Sequence, residues 1–429
     1  MSTAVAEKEI VELNEQVEDS LKTKLEVEIR KDVMQSILKR LDRSREKNGV
    51  LPIKQGIYIF FDEEKIVGRA MNGDFTTEVV VAKDKKNFDI LDGTSGGAVF
   101  MDPKLVSMVN SLPRKNIKLS INGGDAVLSA GRSKFELKIL DHLEYPAIFN
   151  ELGGVEIKVH PDVLRAMYRN TTYATSTNEV RPFLTGVNHK LVDRHLVLAA
   201  TDAHRLAQMR YELDKDFEEV SKIVPAPSLN EVQKQLDDTV SSVTLHIKDK
   251  EVIYVFSNGV TIRSRVIDHN FPDTDRLVPE DCVTEVSFLA GDLQSLVKRA
   301  MLVDQENSVK LLIRAEDRQM RMVSREADKS GFEEDVVPLR GQGKDIRIGF
   351  NIRYLMDALS HYDAEEQIKL QFISFMKPFL IRTENGDDRN LDLILPVQLP
   401  DKDAKDAVVT IDNFKADIQI DLVEDEKPE

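Results

Sequence analysis

Ile117-Lys118-Leu119-Ser120-Ile121-Asn122-Gly123-Gly124 alternates apolar and polar side chains and then meets a glycine turn, the pattern of a half-buried strand entering a hairpin. The alternation returns at Val243, Leu245 and Ile247, with a turn at Ser257-Asn258-Gly259, and again at Ile368, Leu370 and Phe372. Ahead of each strand stands a helical series with its own start signals. Asp102-Pro103 precedes Leu105, Val106 and Val109; Pro227-Ser228 precedes Leu229, Val232 and Leu236; Asn351 precedes Tyr354, Leu355 and Leu359. These starts lie about 125 residues apart.

A second helical series keeps the same phase. Lys31 to Lys47 (Val33, Ile37, Leu38, Leu41), Pro161 to Thr175 (Val163, Leu164, Met167) and Gly291 to Val303 (Leu293, Leu296, Val297, Met301) begin about 130 residues apart. Each period therefore reads helix, strands, helix, strands. The expected fold is α+β, built from three tandem copies of one module at residues 25–150, 151–280 and 281–399, with an N-terminal extension 1–24 and an acidic tail 400–429. Like modules joined head to tail close into a ring when the rotation divides a full turn and otherwise run on as a filament. Periodicity alone leaves both open.

Length and composition agree with three modules. At roughly 150 residues per domain, 429 residues predict about three domains, and 41% apolar with 31% charged residues excludes disorder for most of the chain. Apolar runs such as Val79 to Ala82 fall far short of a membrane span, and Met1 to Lys24 lacks a secretion signal, so no membrane association and a cytoplasmic location are expected. The single cysteine, Cys282, excludes an intrachain disulfide and a thiolate metal cage. The net charge of −16 is uneven: residues 1–24 carry −3 and the last thirty carry −6. The body is only mildly acidic.

Thr201-Asp202-Ala203-His204-Arg205 is the one dense polar cluster beside apolar strand sequence. In an extended segment Asp202 and His204 share a face, and a hydrolase or metal enzyme centred on them is the alternative function. No further ligands follow at metal spacing, and Gly341-Gln342-Gly343-Lys344 is too short for a phosphate loop. No cofactor or metal is expected. With no Trp and scattered Tyr and Phe, a stacking platform for single strands is missing too.

The cluster also carries a resemblance. Phe183-Leu184-Thr185-Gly186-Val187 and Leu198-Ala199-Ala200-Thr201-Asp202-Ala203-His204-Arg205-Leu206-Ala207 resemble the middle domain of the bacterial DNA polymerase III beta subunit, the replicative sliding clamp. Leu51-Pro52-Ile53 and Ser129 to Phe135 resemble that family's first domain, and Ile223-Val224-Pro225 with Asn270-Phe271-Pro272-Asp273 its second. Gly349-Phe350-Asn351, Tyr354-Leu355 and Leu393-Ile394-Leu395-Pro396 resemble its third. The ordered matches run from about Lys24 to Leu399, in phase with the repeat.

The resemblance implies a DNA clamp fold in which two subunits close a six-module ring, helices inside and sheets outside, around double-stranded DNA held without regard to sequence. It implies no catalysis, a separate clamp loader, and a polymerase tethered through Gln-Leu-x-Leu-Phe type peptides. The pocket for those peptides falls on Leu184, Thr201, His204, Arg205, Leu206, Pro272, Arg276 and Leu277, with Asn351, Tyr354, Met376, Leu393, Leu395, Pro396 and Val397. Ala203 stands where the family usually has Gly, Ala226 where it has a basic residue, and Gln398 where Arg is common.

Charge then takes on a function. The six helical segments sum to zero, whereas the rest of the body is acidic, and cations concentrate in the first module at Lys39, Arg40, Arg43, Arg45, Lys47, Arg114 and Lys115. With Arg165 and Arg169 these are the expected DNA-facing residues, giving salt-sensitive contacts that read no base. For the homodimer, Phe135 and Leu137 on an edge strand are expected against Met301 and Leu302 of the other subunit, with Arg132 and Lys134 facing Glu333, Glu334 and Asp335. Ile10, Leu13, Val17 and Leu21 have helical spacing, and Gln419-Ile420-Asp421-Leu422-Val423 looks like the partner peptide itself.

Overall fold

The computed structural model describes residues 24–397 except 50, 85, 148–150, 280, 304–307, 326–330 and 385–388. The readings at Ile10 to Leu21, Gln398 and Gln419 to Val423 lie outside the described residues.

Among the described residues there are six α-helices, two per repeat: α1 (Lys31–Leu41), α2 (Leu105–Ser111), α3 (Pro161–Thr171), α4 (Ala226–Gln235), α5 (Ala290–Ala300) and α6 (Ile352–Leu359). They pack in pairs, α1 on α2, α3 on α4 and α5 on α6. Each buries a stripe at three- and four-residue spacing, such as Met34, Ile37, Leu38 and Leu41 on α1 and Leu293, Leu296 and Val297 on α5. Two of the three start signals act as read: Pro227 sits in the first turn of α4 and the Asn351 side chain accepts from the Arg353 amide at 2.9 Å, whereas α2 begins at Leu105, beyond Asp102-Pro103. Helices α1, α3 and α5 stop six, four and three residues before the expected segment ends at Lys47, Thr175 and Val303. Beyond α1, the buried Ser44 hydroxyl bonds Thr77 on the sheet at 2.7 Å, fixing the chain's exit.

The alternating strands are also present. Ile117, Leu119 and Ile121 lie in Asn116–Asn122, Val243, Leu245 and Ile247 in Val243–Ile247, and Ile368, Leu370 and Phe372 in Gln367–Phe372, all of them buried. Gly123 (φ 58°) and Gly259 (φ 83°) take the left-handed conformation of the following turns.

The described residues fall into two compact units, the first of which holds two of the repeats. One holds residues up to 202 and 209–272; the other holds 203–208 and those from 273 onward. The first two repeats merge because Phe75–Ala82 pairs antiparallel with Val260–Arg265, in register from Val260 opposite Val79 to Ser264 opposite Phe75. That pairing makes a single thirteen-stranded antiparallel sheet, with Val155–Val159 at one edge and Phe88–Asp92 at the other.

The second unit has a sheet of Asn390–Ile394, Phe379–Thr383, Gln367–Phe372, Thr284–Leu289 and Arg340–Gly343 in that order, with the start of strand Arg205–Pro225 beside Asn390–Ile394. A four-stranded sheet runs Gly331–Val336, Gln319–Arg325, Ser308–Arg314, Ile346–Asn351. Residues 203–208 belong here because the Leu395 amide donates to the His204 carbonyl at 2.9 Å.

Candidate functional site

Strand Gly186–Thr201 turns into Arg205–Pro225 through Asp202, Ala203 and His204, and Ala203 is left-handed at φ 76°. Thr201 and Leu206, in the two strands, are buried, and His204, in the turn between them, is exposed. In the second unit the Asn351 cap orients α6 so that Tyr354 and Asp357, three residues apart, share a face. The His204 ring stacks on Tyr354 with centroids 6.2 Å apart and planes 16° apart. Arg205 lies with its Cζ 4.7 Å from the Tyr354 centroid and its Nη1 2.5 Å from Asp357 Oδ2. Held by a ring and a carboxylate, that guanidinium is fixed in direction.

Large apolar side chains stand exposed in the same unit: Met376, Phe375, Leu277, Val397 and Leu395. Chain direction beyond Leu395 is set by a bridge of Pro396 to Phe350 and by the Val397 amide on the Gly349 carbonyl. Arg276 is exposed and pairs with Asp273 at 2.9 Å. Leu393, at 2% exposure, lies in a strand that is buried at every position, whereas Leu395, just past its end, is exposed. Leu184 and Thr201, both buried, and the exposed Pro272 belong to the first unit. Sequence reasoning missed Phe375 and Asp357. Phe375 reads as core by composition, whereas Asp357 was legible as the residue one turn from Tyr354.

The expected DNA-facing cations divide. Lys39, Lys47, Arg114, Lys115 and Arg169 are exposed. Arg40 and Arg43 are drawn to α4 instead. Arg40 reaches Asp237 and the Gln235 side chain, both at 2.7 Å, and Arg43 reaches Glu231 at 3.0 Å. Helical segments of opposite net charge from different repeats lie side by side, and these cations neutralise those acids. Arg45 pairs with Asp42 at 2.8 Å, and Arg165 with Asp162 and the Leu236 carbonyl.

Among the expected interface residues, Ser133 to Lys138 has Asp125–Ala130 along one side only, since its strand meets Gly96–Phe100 from Ile139 onward. Phe135 is half-buried there, but Leu137, at 4% exposure, is committed to the chain's own core. Arg132 is exposed and Lys134 pairs with Glu136. In the second unit Leu302 is 85% exposed and Met301 half-buried. The acids facing Arg132 and Lys134 in the sequence reading are engaged within the chain: Glu334 with Arg299, and Glu333 and Asp335 with Arg321.

No described helix is long and apolar enough to cross a membrane. No group of three or more His, Cys, Asp or Glu among the described residues is placed to hold a metal ion.

Family models for the N-terminal, central and C-terminal domains of the DNA polymerase III beta subunit match residues 24–149, 158–273 and 275–398. The beta sliding clamp of Staphylococcus epidermidis is 30% identical over 351 residues, covering 81% of this chain and 92% of that one. That of Staphylococcus aureus is 31% identical over 352 residues, with the same coverage. The solved DNA polymerase sliding clamp of Bacillus subtilis superposes with a TM-score of 0.83 at 28% identity, over 88% of this chain and 100% of its own. Repeated α+β modules, their order along the chain and these likenesses agree: the chain belongs to the bacterial DNA polymerase III beta subunit family, the DNA sliding clamps.

Proposed function

We propose that two copies of this chain join head to tail into a ring around duplex DNA and hold a polymerase there without catalysing any reaction. Retention is by linkage: escape requires opening the ring, so phosphate contacts from Lys39, Lys47, Arg114, Lys115 and Arg169 stay weak and permit sliding. Two edges support the closure. Ser133 to Lys138 in one unit and Gly331–Val336 in the other each lack a strand partner along one side among the described residues, and such edges pair readily.

The polymerase and the loader dock through a short apolar peptide on Leu277, Met376, Leu395 and Val397, with Arg205, His204 and Tyr354 as its rigid polar wall. The observation that carries this reading is the His204–Tyr354–Arg205 stack, joined through the His204 carbonyl to Leu395, in a unit that also exposes Leu277, Met376 and Val397.

The test loads the protein on a nicked circular duplex with a clamp loader and then linearises the circle. Prompt loss from the linear form, with retention on the circle, is expected. Equal lifetimes on both forms would reject topological retention. A hydrolytic or metal-dependent activity abolished by His204→Ala would favour the enzyme reading.

A further inference from the structure

A cleft of about 1030 Å³ opens between the first and second repeats, wholly inside the first unit. It is lined by the turn from Met71 to Thr76, the turn from Ile247 to Glu251, the strand end at Ser264 and Arg265, and Pro146 with Ala147. Each has a counterpart one repeat later. Those counterparts are the Thr201 to Arg205 turn, the turn between Gln367–Phe372 and Phe379–Thr383 that carries Met376, the strand end at Ile394 and Leu395, and Pro272. The repeat has kept the position and changed the chemistry. Where the later turn and strand end expose Met376 and Leu395, the cleft has Lys248, Lys250 and Arg265.

Six cationic residues and three acids line the cleft, in a chain whose net charge is −16. The acids are all engaged: Asp74 with Arg265, Asp249 with Lys222, and Glu251 with Lys248 at 2.7 Å. Arg263, its side chain only 12% exposed, stands 3.7 Å from Glu251, beyond hydrogen-bond reach, and its Nη1 finds no acceptor among the described residues. A desolvated guanidinium N–H that lacks an acceptor, its nearest carboxylate already bonded to Lys248, favours an incoming carboxylate. The floor is apolar, with Met71, Phe75 and Ile247. The complementary ligand alternates acidic and apolar side chains.

The chain carries such a segment. Residues 400–429 have ten acids against four bases, and Asp417-Ile418-Gln419-Ile420-Asp421-Leu422-Val423 alternates the two characters. At about 3.3–3.6 Å per residue, the chain after Val397 has a contour of roughly 110 Å. We propose that the cleft between the first two repeats binds this acidic C-terminal segment, its carboxylates on Lys248, Lys250, Arg263 and Arg265 and its apolar side chains on Met71, Phe75 and Ile247. This site is distinct from the partner-peptide residues and does not depend on them.

The test places a photo-crosslinking residue at Ile420 in the full-length chain and maps the products by mass spectrometry. Crosslinks are expected at residues 72–76 and 247–251 in low salt and are expected to weaken in high salt. In Lys248→Glu/Lys250→Glu they should fall roughly tenfold or more, two attractions having become repulsions. A variant with Met376→Ser should leave them unchanged. Crosslinks centred on Tyr354 and Met376 would overturn the proposal by placing the segment among the partner-peptide residues. Scattered or absent crosslinks, or crosslinks indifferent to charge reversal, would overturn it as well. The affinity of a separate Gln-Leu-x-Leu-Phe peptide reads the partner site independently.

Discussion

Arg43, two residues beyond the end of α1, grips Glu231 on α4 with both Nε and Nη2, at 3.1 and 3.0 Å, and Glu231 is almost wholly buried. The Gln235 amide adds a third bond to the same carboxylate at 2.6 Å, and Gln235 also accepts from Arg40. This network ties the first repeat to the second on the helix side, as the Phe75–Ala82 pairing does on the sheet side.

Removing Arg43 leaves that carboxylate buried and short of partners. Arg43→Ala is therefore expected to destabilise the first unit by about 3 kcal/mol, as for a broken buried pair. Glu231→Gln, which keeps a hydrogen-bonding shape, should cost less. Urea unfolding of the two variants checks the order; equal, small losses would show the pair to be solvent-screened.

The same network makes a prediction about DNA. Because Arg40 and Arg43 are already neutralised, replacing them should barely alter the salt dependence of DNA binding. Lys39→Ala and Lys47→Ala should each reduce the slope of log affinity against log salt by about 0.9, if each meets one phosphate. A salt titration of binding to a short duplex separates the two classes. A larger change for Arg43→Ala than for Lys39→Ala would refute the division.

The module was legible because its signals are local: alternation at Ile117, Leu119 and Ile121, a glycine turn, and caps such as Asn351 all act within a few residues. The merging of two repeats into one unit was not. Val260 to Arg265 and Phe75 to Ala82 read as ordinary strands, and nothing in either says that their edges meet. Arg40 and Arg43 were legible as cations but not as occupied ones, since Glu231 and Asp237 lie about 190 residues away. Leu137 and Leu393 show a third limit. A motif places a residue near a site, while the packing around it decides how much of it stays exposed: Phe135 and Leu137, two apart in the chain, differ in burial, as do Leu393 and Leu395.

Ala203 offers a test of the departure from the family's usual glycine. At φ 76° its Cβ crowds the backbone, a conformation that costs an L-residue on the order of 1 kcal/mol. Ala203→Gly should raise stability by about that amount less the added entropy of the unfolded chain. It should not lower affinity for a Gln-Leu-x-Leu-Phe peptide. A lower unfolding midpoint would mean that the methyl group packs usefully.

At the proposed partner site, Tyr354 holds both His204 and Arg205 in place, so Tyr354→Ala should weaken the Gln-Leu-x-Leu-Phe peptide by roughly tenfold to a hundredfold, about 1.4–2.7 kcal/mol. Phe375→Ala, an exposed position that the motif did not include, should weaken it by less. Fluorescence anisotropy with a labelled peptide measures both. Unchanged affinity in Tyr354→Ala would move the site elsewhere.

His189 sets a pH dependence for the first unit. It is fully buried, its Nδ1 donates to the Val187 carbonyl at 3.0 Å, and its Nε2 lies 3.0 Å from the Tyr168 hydroxyl, which also bonds Tyr254. Burial favours the neutral ring and pushes its pKa down to about 4. In the unfolded chain the ring takes a proton as pH falls through about 6.5, while the folded chain resists until about 4. Above the unfolded value both states are neutral and the group has no effect. As pH falls from 6.5 toward 4 the unfolded state binds the extra proton, and stability drops by about 1.4 kcal/mol per unit, reaching about 3 kcal/mol. Carboxylates add their own slope, so the informative quantity is the difference between wild type and His189→Gln. Any advantage of wild type at pH 7.5 should shrink by about 3 kcal/mol at pH 4. Parallel stability curves for the two proteins across that window would show that the ring is not held neutral by burial.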